Sequence, residues 1–317
     1  MRVKGLMDSL YGITLLILGT ILIAGLFFRK VANKSSNTVD SAGGKGSGSP
    51  LSYNSDDIGE LERHVREKNF AVIEQITREI TSYPAEKQKI IRCTLTEPLF
   101  MAMADKSEEV RLAAAEALKI MGDASIAESL VQSLKEPNRW LPARTAEVLV
   151  ALGQKAVPAL QTALEDDDPV FRGYIIEILG EIGDPSSVSA LNRALGDKAV
   201  NIRLEAARAL GKIGNKDSIP SLVEALGEPE VKVVVQAVRS LGKIGGPEVT
   251  GYLGGMLNHH DGVVRYTTLD ALRCMGSEGL KVIRETALIK GHPSAEKAKE
   301  IIKEIEGAGA SIKIRYK

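Results

Sequence analysis

The sequence predicts an all-α protein, a solenoid of stacked two-helix units with a period of about 31 residues behind a single membrane-spanning helix. Three observations predict it. Glycines recur at 122, 153, 183, 214, 245 and 276, and four residues before each stands a leucine (Leu118, Leu149, Leu179, Leu210, Leu241 and Leu272). Apolar residues make up 44% of the 317 positions but aromatics only 4%, so Ala, Leu, Ile and Val must fill the core, which suits closely packed helices. Ser9 to Phe28 holds twenty residues without a charge.

Residues 1–8 form a short basic start, with Arg2 and Lys4. As a helix, 9–28 would span about 30 Å, the thickness of a bilayer's hydrocarbon core. A cleaved signal peptide fits less well, because Phe27-Phe28-Arg29-Lys30 stands where a small-x-small site would lie. An uncleaved single-pass anchor is expected. Arg29, Lys30 and Lys34 outnumber the basic residues before the segment and favour a cytoplasmic body. Residues 29–56 become rich in Ser and Gly and read as a flexible linker.

Residues 57–104 are helical but irregular, with Tyr83-Pro84 as a break, and predict a cap of two to four helices. From 105 to 290 six units follow. Met121, Leu152, Ile182, Ile213, Ile244 and Met275 directly precede the glycines and share a helix face with the leucines. Glycine then ends the first helix by taking the left-handed conformation. Second helices carry Leu130, Leu160, Leu191, Leu222 and Leu253, with Pro158 and Pro220 near their starts.

Two further columns concern how the units join. Asp105, Glu136, Asp166, Asp197, Glu228 and His259 lie seventeen residues before the glycines, and Arg111, Pro142, Arg172, Arg203, Val234 and Arg265 eleven before. The acidic column suits capping of the first helix. A ladder of charge-assisted bonds between units is the favoured reading over unrelated surface charge, with Pro142 and Val234 as its weak joints.

The sequences VRLAAAEALKIMGD (110–123) and IRLEAARALGKIGN (202–215) resemble the HEAT repeat, and in particular the short subtype first described in phycobilisome lyases. The resemblance implies a right-handed α-solenoid, with first helices convex and second helices concave. It also implies a protein-binding scaffold or adaptor, with a bilin-lyase-like accessory factor acting on a protein-bound cofactor as the alternative. Deoxyhypusine hydroxylases share the architecture but hold iron through His-Glu pairs, and this chain has none.

Beyond the repeats, 291–307 reads as a charged capping helix and 308–317 as a basic tail. Charge is uneven: +4 over 1–50, +4 over 281–317, and −8 over the body between them. A mildly acidic body argues against nucleic acid as the partner. Cys93 and Cys274 fall within helical patterns and are expected to be buried thiols.

No catalytic, cofactor-binding or metal-binding constellation is legible. His259-His260-Asp261 is the one histidine cluster, and adjacent loop residues rarely converge on a metal, so Asp261 is expected to cap the next helix. Asp166-Asp167-Asp168 reads as a solvated turn and cap before Pro169. For a partner, periodicity selects Gln132, Thr162, Arg193 and Glu224 on successive second helices, followed by Gly255. This polar stripe suits a peptide or protein, although ordinary solvated surface would look the same. Trp140 packs in the seam between units or stands exposed as an anchor, and the sequence leaves both open.

Overall fold

The computed structural model describes residues 58–122, 124–135 and 141–315, with side chains given except at Leu141 and 307–315. The expected anchor (9–28), the linker and Trp140 lie outside these residues. Among the described residues every regular element is helical, and no helix is long and apolar enough to cross a membrane.

Three helices open the fold: α1 (Ile58–Arg66), α2 (Phe70–Glu79) and α3 (Ala85–Ala102). Tyr83 and Pro84 break the chain between α2 and α3 as the sequence predicts. The repeat units follow as pairs: α4 (Glu108–Met121) and α5 (Ala124–Ser133), α6 (Leu141–Leu152) and α7 (Val157–Ala163), α8 (Pro169–Ile182) and α9 (Val188–Ala194). Next come α10 (Val200–Ile213) and α11 (Ile219–Glu224), α12 (Val231–Ile244) and α13 (Pro247–Met256), α14 (Gly262–Cys274) and α15 (Ser277–Leu288). Helix α16 (Ala295–Arg315) covers the end, burying Ala298 and Ile301. It runs through residues expected to be a basic tail. No proline follows Pro293 to stop it, although Gly307 and Gly309 are poor helix formers.

Each first helix packs on the first helix of the next unit, and one hydrophobic core runs the length of the stack. All six column leucines are at most 1% exposed. The glycines at 153, 183, 214, 245 and 276 have positive φ; Gly183 and Gly214 take the expected left-handed conformation, whereas Gly245 and Gly276 combine positive φ with ψ of −167° and −138°. Gly122 differs: its φ is −64°, which any residue adopts. There glycine answers to space, since a Cβ would lie 2.7 Å from Leu152 Cδ2 and 2.9 Å from Ile126 Cδ1.

A further column, not recognised in the sequence, sets the spacing of the first helices. Gly180, Gly211 and Gly242 each stand three residues before a helix-ending glycine and face Ala209, Ser240 and Ala271 of the next unit. A Cβ added at these glycines would lie 2.9, 2.5 and 2.7 Å from the facing Cβ atoms, so the helices meet almost backbone to backbone. Ser240 is buried and satisfied at this contact. Its hydroxyl donates to Ala207 O at 2.7 Å and pairs with Gln236 Nε2 at 3.2 Å.

The ladder exists, with a different emphasis. Arg111, Arg172, Arg203 and Arg265 each donate from Nη1 to two carbonyls of their own unit's loop, as Arg203 does to Asp197 O at 2.8 Å and Lys198 O at 3.4 Å. Among the described residues, Arg172 and Arg203 are seen to reach the next unit as well. Arg172 grips Asp197 through Nε and Nη2, each at 3.0 Å, and Arg203 Nε meets Glu228 at 3.0 Å. Where Pro142 replaces the arginine, Lys135 pairs with Asp166 instead, and at the front Lys68 meets Asp105 at 2.6 Å. These lysines, followed by backbone N–H donors, hold both aspartates below the usual carboxylate range. Where Val234 replaces it, the side chain is buried and His259 Nδ1 accepts from Asp261 N at 3.0 Å.

Both cysteines are exposed, contrary to expectation. Helix α3 buries Ile91, Leu95 and Leu99, and Cys93 lies about 200° around the helix from Ile91. Cys274 follows the buried Ala271 and Leu272 on the solvent side of α14.

Helix α13 holds three glycines in ten residues, and a Cβ at Gly251 or Gly255 would meet nothing within 4 Å. Replacing both by alanine should stabilise the protein by about 0.5–1 kcal/mol per site, because glycine loses more backbone entropy in a helix. Thermal denaturation checks this, and an unchanged or lowered midpoint would show that α13 needs its glycines.

Candidate functional site

The second helices form the face on which a partner is expected. Their leucines point inward: Leu130 is 2% exposed, and Leu160, Leu191, Leu222 and Leu253 are fully buried. Gln132, Thr162, Arg193, Glu224 and Gly255 stand two residues further on, about 200° around each helix. All five are exposed.

Two grooves lie along this face. One of about 540 Å³ runs between α5 and α7 and brings Gln132 and Thr162 together with Glu128, Lys155, Pro158 and Phe171. The other, about 630 Å³, lies between α9 and α11 and contains Ser189, Asn192, Arg193, Asp217 and Ser221. Glu224 is exposed beyond it and lines neither groove.

Hydrogen bonds tie neighbouring second helices at a constant step. Gln161 Nε2 donates to Ser186 O at 2.9 Å and Asn192 Nδ2 to Asp217 O at 3.4 Å, each 25 residues ahead. Asn192 lines the second groove, while its Oδ1 is buried with no hydrogen-bond partner. Arg193 makes only a long contact to Ser189 Oγ, 3.5 Å, so its guanidinium is largely available. Thr162 Oγ1 donates to Pro158 O at 3.1 Å and retains accepting capacity. The floor is fixed by local caps. Asp184 accepts from Ser186, side chain first and backbone next, which holds its carboxyl below the usual range.

Among the described residues no group of three His, Cys, Asp or Glu is placed to hold a metal ion. His259 and His260 stack with centroids 4.2 Å apart, and Asp261 caps α14 through Val263 N at 2.7 Å and Val264 N at 3.3 Å. Asp166 and Asp168 likewise accept from backbone N–H groups, at Asp168 N and Val170 N. Sequence reasoning missed Asn192, whose signal lay in the recurrence of amide side chains at 161 and 192, one step before Thr162 and Arg193.

In sequence, residues 127–203, 157–241 and 190–273 match the model of HEAT repeats. No curated protein matches the chain. Among solved structures, the complex of CpcE and CpcF of phycocyanin lyase from Nostoc sp. PCC7120 is 25% identical, covering 47% of this chain and 99% of that one, with a TM-score of 0.43. Human deoxyhypusine hydroxylase in complex with glycerol is 18% identical over 69% of this chain and 96% of that one, TM-score 0.36. An engineered protein is 19% identical over 78% of each chain, TM-score 0.37. At these scores the three likenesses carry no functional argument.

Proposed function

Residues 127–273 of this chain are HEAT repeats, and from that premise we propose a protein-interaction scaffold whose second helices receive an extended segment of a partner protein. Residues 9–28 serve as its single-pass anchor, with the repeats on the cytoplasmic side. The observation that carries the reading is the second-helix face. There Gln132, Thr162, Arg193 and Glu224 recur at one helical position and are all exposed, and the first three border its grooves.

The chemistry fits a peptide better than a flat surface contact. A peptide backbone offers both N–H and C=O groups, and the Arg193 groove offers a donor in the guanidinium and, in Ser189 and Ser221, hydroxyls that can donate or accept. Rows of amide and charged side chains at a constant step suit an extended chain running across successive units. The stripe is mixed in sign, which suits a peptide more than a polyanion.

The test reverses charge on the stripe. Proteins recovered with the intact chain from its native cells should lose at least tenfold in yield with Arg193→Glu and Glu224→Lys combined. Recovery equal to the unmodified chain, with the circular dichroism unchanged, would remove the stripe as the binding site.

A further inference from the structure

The joint between α6 and α8 breaks the rule that closes the later first-helix seams. Where Gly180, Gly211 and Gly242 stand, the second unit has Val150, and where Ala209, Ser240 and Ala271 stand, the third has Ile178. At the later joints even a single added carbon would come within 2.9 Å of the facing Cβ. Two branched side chains cannot share that spacing, so the helices part. A cleft of about 970 Å³ opens between them, and it shares no residue with the two second-helix grooves. Pro142 lies on the same joint, so the arginine that ties other units is missing where the seam is widest.

We propose that this cleft docks an amphipathic helix of a partner protein, its apolar face in the cleft and its flank basic. The walls are two helices, and Ala143, Ala146 and Ala151 along α6 let a third helix backbone approach closely. Tyr174, 44% exposed on the opposite wall, supplies an aromatic anchor. The rim sets the sign of the partner. Glu147, Glu177 and Glu181 line the cleft with one lysine, Lys119; Arg144 and Lys212 pair with two of these carboxylates from outside the lining, and Glu177 has no cationic partner among the described residues. Glu147 and Glu181 are engaged in ion pairs with Lys119, Arg144 and Lys212 whose acidic side chains are 45% and 49% exposed, and such solvent-facing pairs contribute little and exchange for a basic side chain of the partner. The body around the cleft is acidic as well, 34 acidic against 26 basic residues over 51–280.

The probe is a fluorescein-labelled peptide of about fourteen residues, long enough for four helical turns, built of leucine and lysine at helical spacing. Its leucine–glutamate counterpart serves as the control of sign. Anisotropy titrations use the full chain at fixed ionic strength. The leucine–lysine peptide should bind at least tenfold more tightly than its acidic counterpart. Ala146→Arg, which fills the cleft and adds a positive charge, should weaken it at least tenfold. So should Val150→Gly combined with Ile178→Ala, which restores the close seam, provides a second route if the first variant misfolds, and leaves the rim carboxylates in place. Gly227→Ala, where an added Cβ meets nothing within 4 Å and which lines neither the cleft nor the two grooves, should leave it unchanged. Failure of the unmodified chain to bind the peptide, equal binding of the acidic peptide, or undiminished binding by both cleft variants would overturn the proposal.

Discussion

Replacing Gly211 with valine should lower stability by about 3 kcal/mol, at the upper end of the range for overpacking a filled contact. In a body of this size that moves the melting midpoint down by roughly 6–12 °C. The reason is geometric. A Cβ at Gly211 would stand 2.5 Å from Ser240 Cβ and 2.7 Å from Ser240 Cα, and the second of these is backbone. No rotamer of the neighbour relieves it, so α10 and α12 must separate and release buried contacts along their whole length. Ser240→Gly in the same chain should restore part of the loss by removing the side-chain half of the clash. Gly227→Ala serves as control, since a Cβ there meets nothing within 4 Å. A Gly211→Val midpoint indistinguishable from the control would show that the seam yields without strain.

The second large effect is expected at Arg203. Its side chain is 13% exposed, and its guanidinium joins Glu228 of the next unit to two carbonyls of its own loop. Arg203→Ala leaves a carboxylate and two loop carbonyls short of partners at once, and should lower stability by about 2–3 kcal/mol. Lysine should not rescue it, because one ammonium cannot reproduce the planar fork that reaches both units. Arg208→Ala is the comparison: its pair with Glu205 at 3.2 Å lies on an arginine that is 56% exposed, and its removal should cost less than about 0.5 kcal/mol. Equal losses for the two variants in urea denaturation would reduce the ladder to ordinary surface charge. The lysine-held rungs add a pH signature. Asp105 and Asp166 titrate below their ordinary 3.8 when folded, so their stabilisation is complete above that value and is lost as pH falls through the lower folded values. Asp105→Asn and Asp166→Asn should therefore melt with a shallower dependence on pH below about 4.

Much of the fold was legible because each column reports on a single helix. Leu210 and Ile213 lie three apart and mark one face, and Gly214 adopts φ 72° at the end of that helix. Loop caps were equally local: Asp168 and Asp261 reach backbone N–H groups two residues on. The arginine column was visible, yet its commonest bonds, to the carbonyls five and six residues earlier, carry no signature in residue type. Cys93 was misplaced because membership of a helix does not fix a face; its position between the buried Ile91 and Leu95 did.

The candidate second-helix stripe was also readable, and for a physical reason. A leucine that faces the core forces the residue two places later to face away, so Gln132, Thr162, Arg193 and Glu224 were bound to be exposed once Leu130, Leu160, Leu191 and Leu222 were buried. What the sequence by itself determined is therefore the repeat of two-helix units and the buried leucine face of their helices. Only the tertiary structure decided how closely the units approach. That distance depends on the combined volume of two side chains some thirty residues apart, Gly211 with Ser240 at one joint and Val150 with Ile178 at another. Periodicity along one helix carries no record of that sum, and so neither the closed seam nor the open cleft could be seen until the helices were stacked.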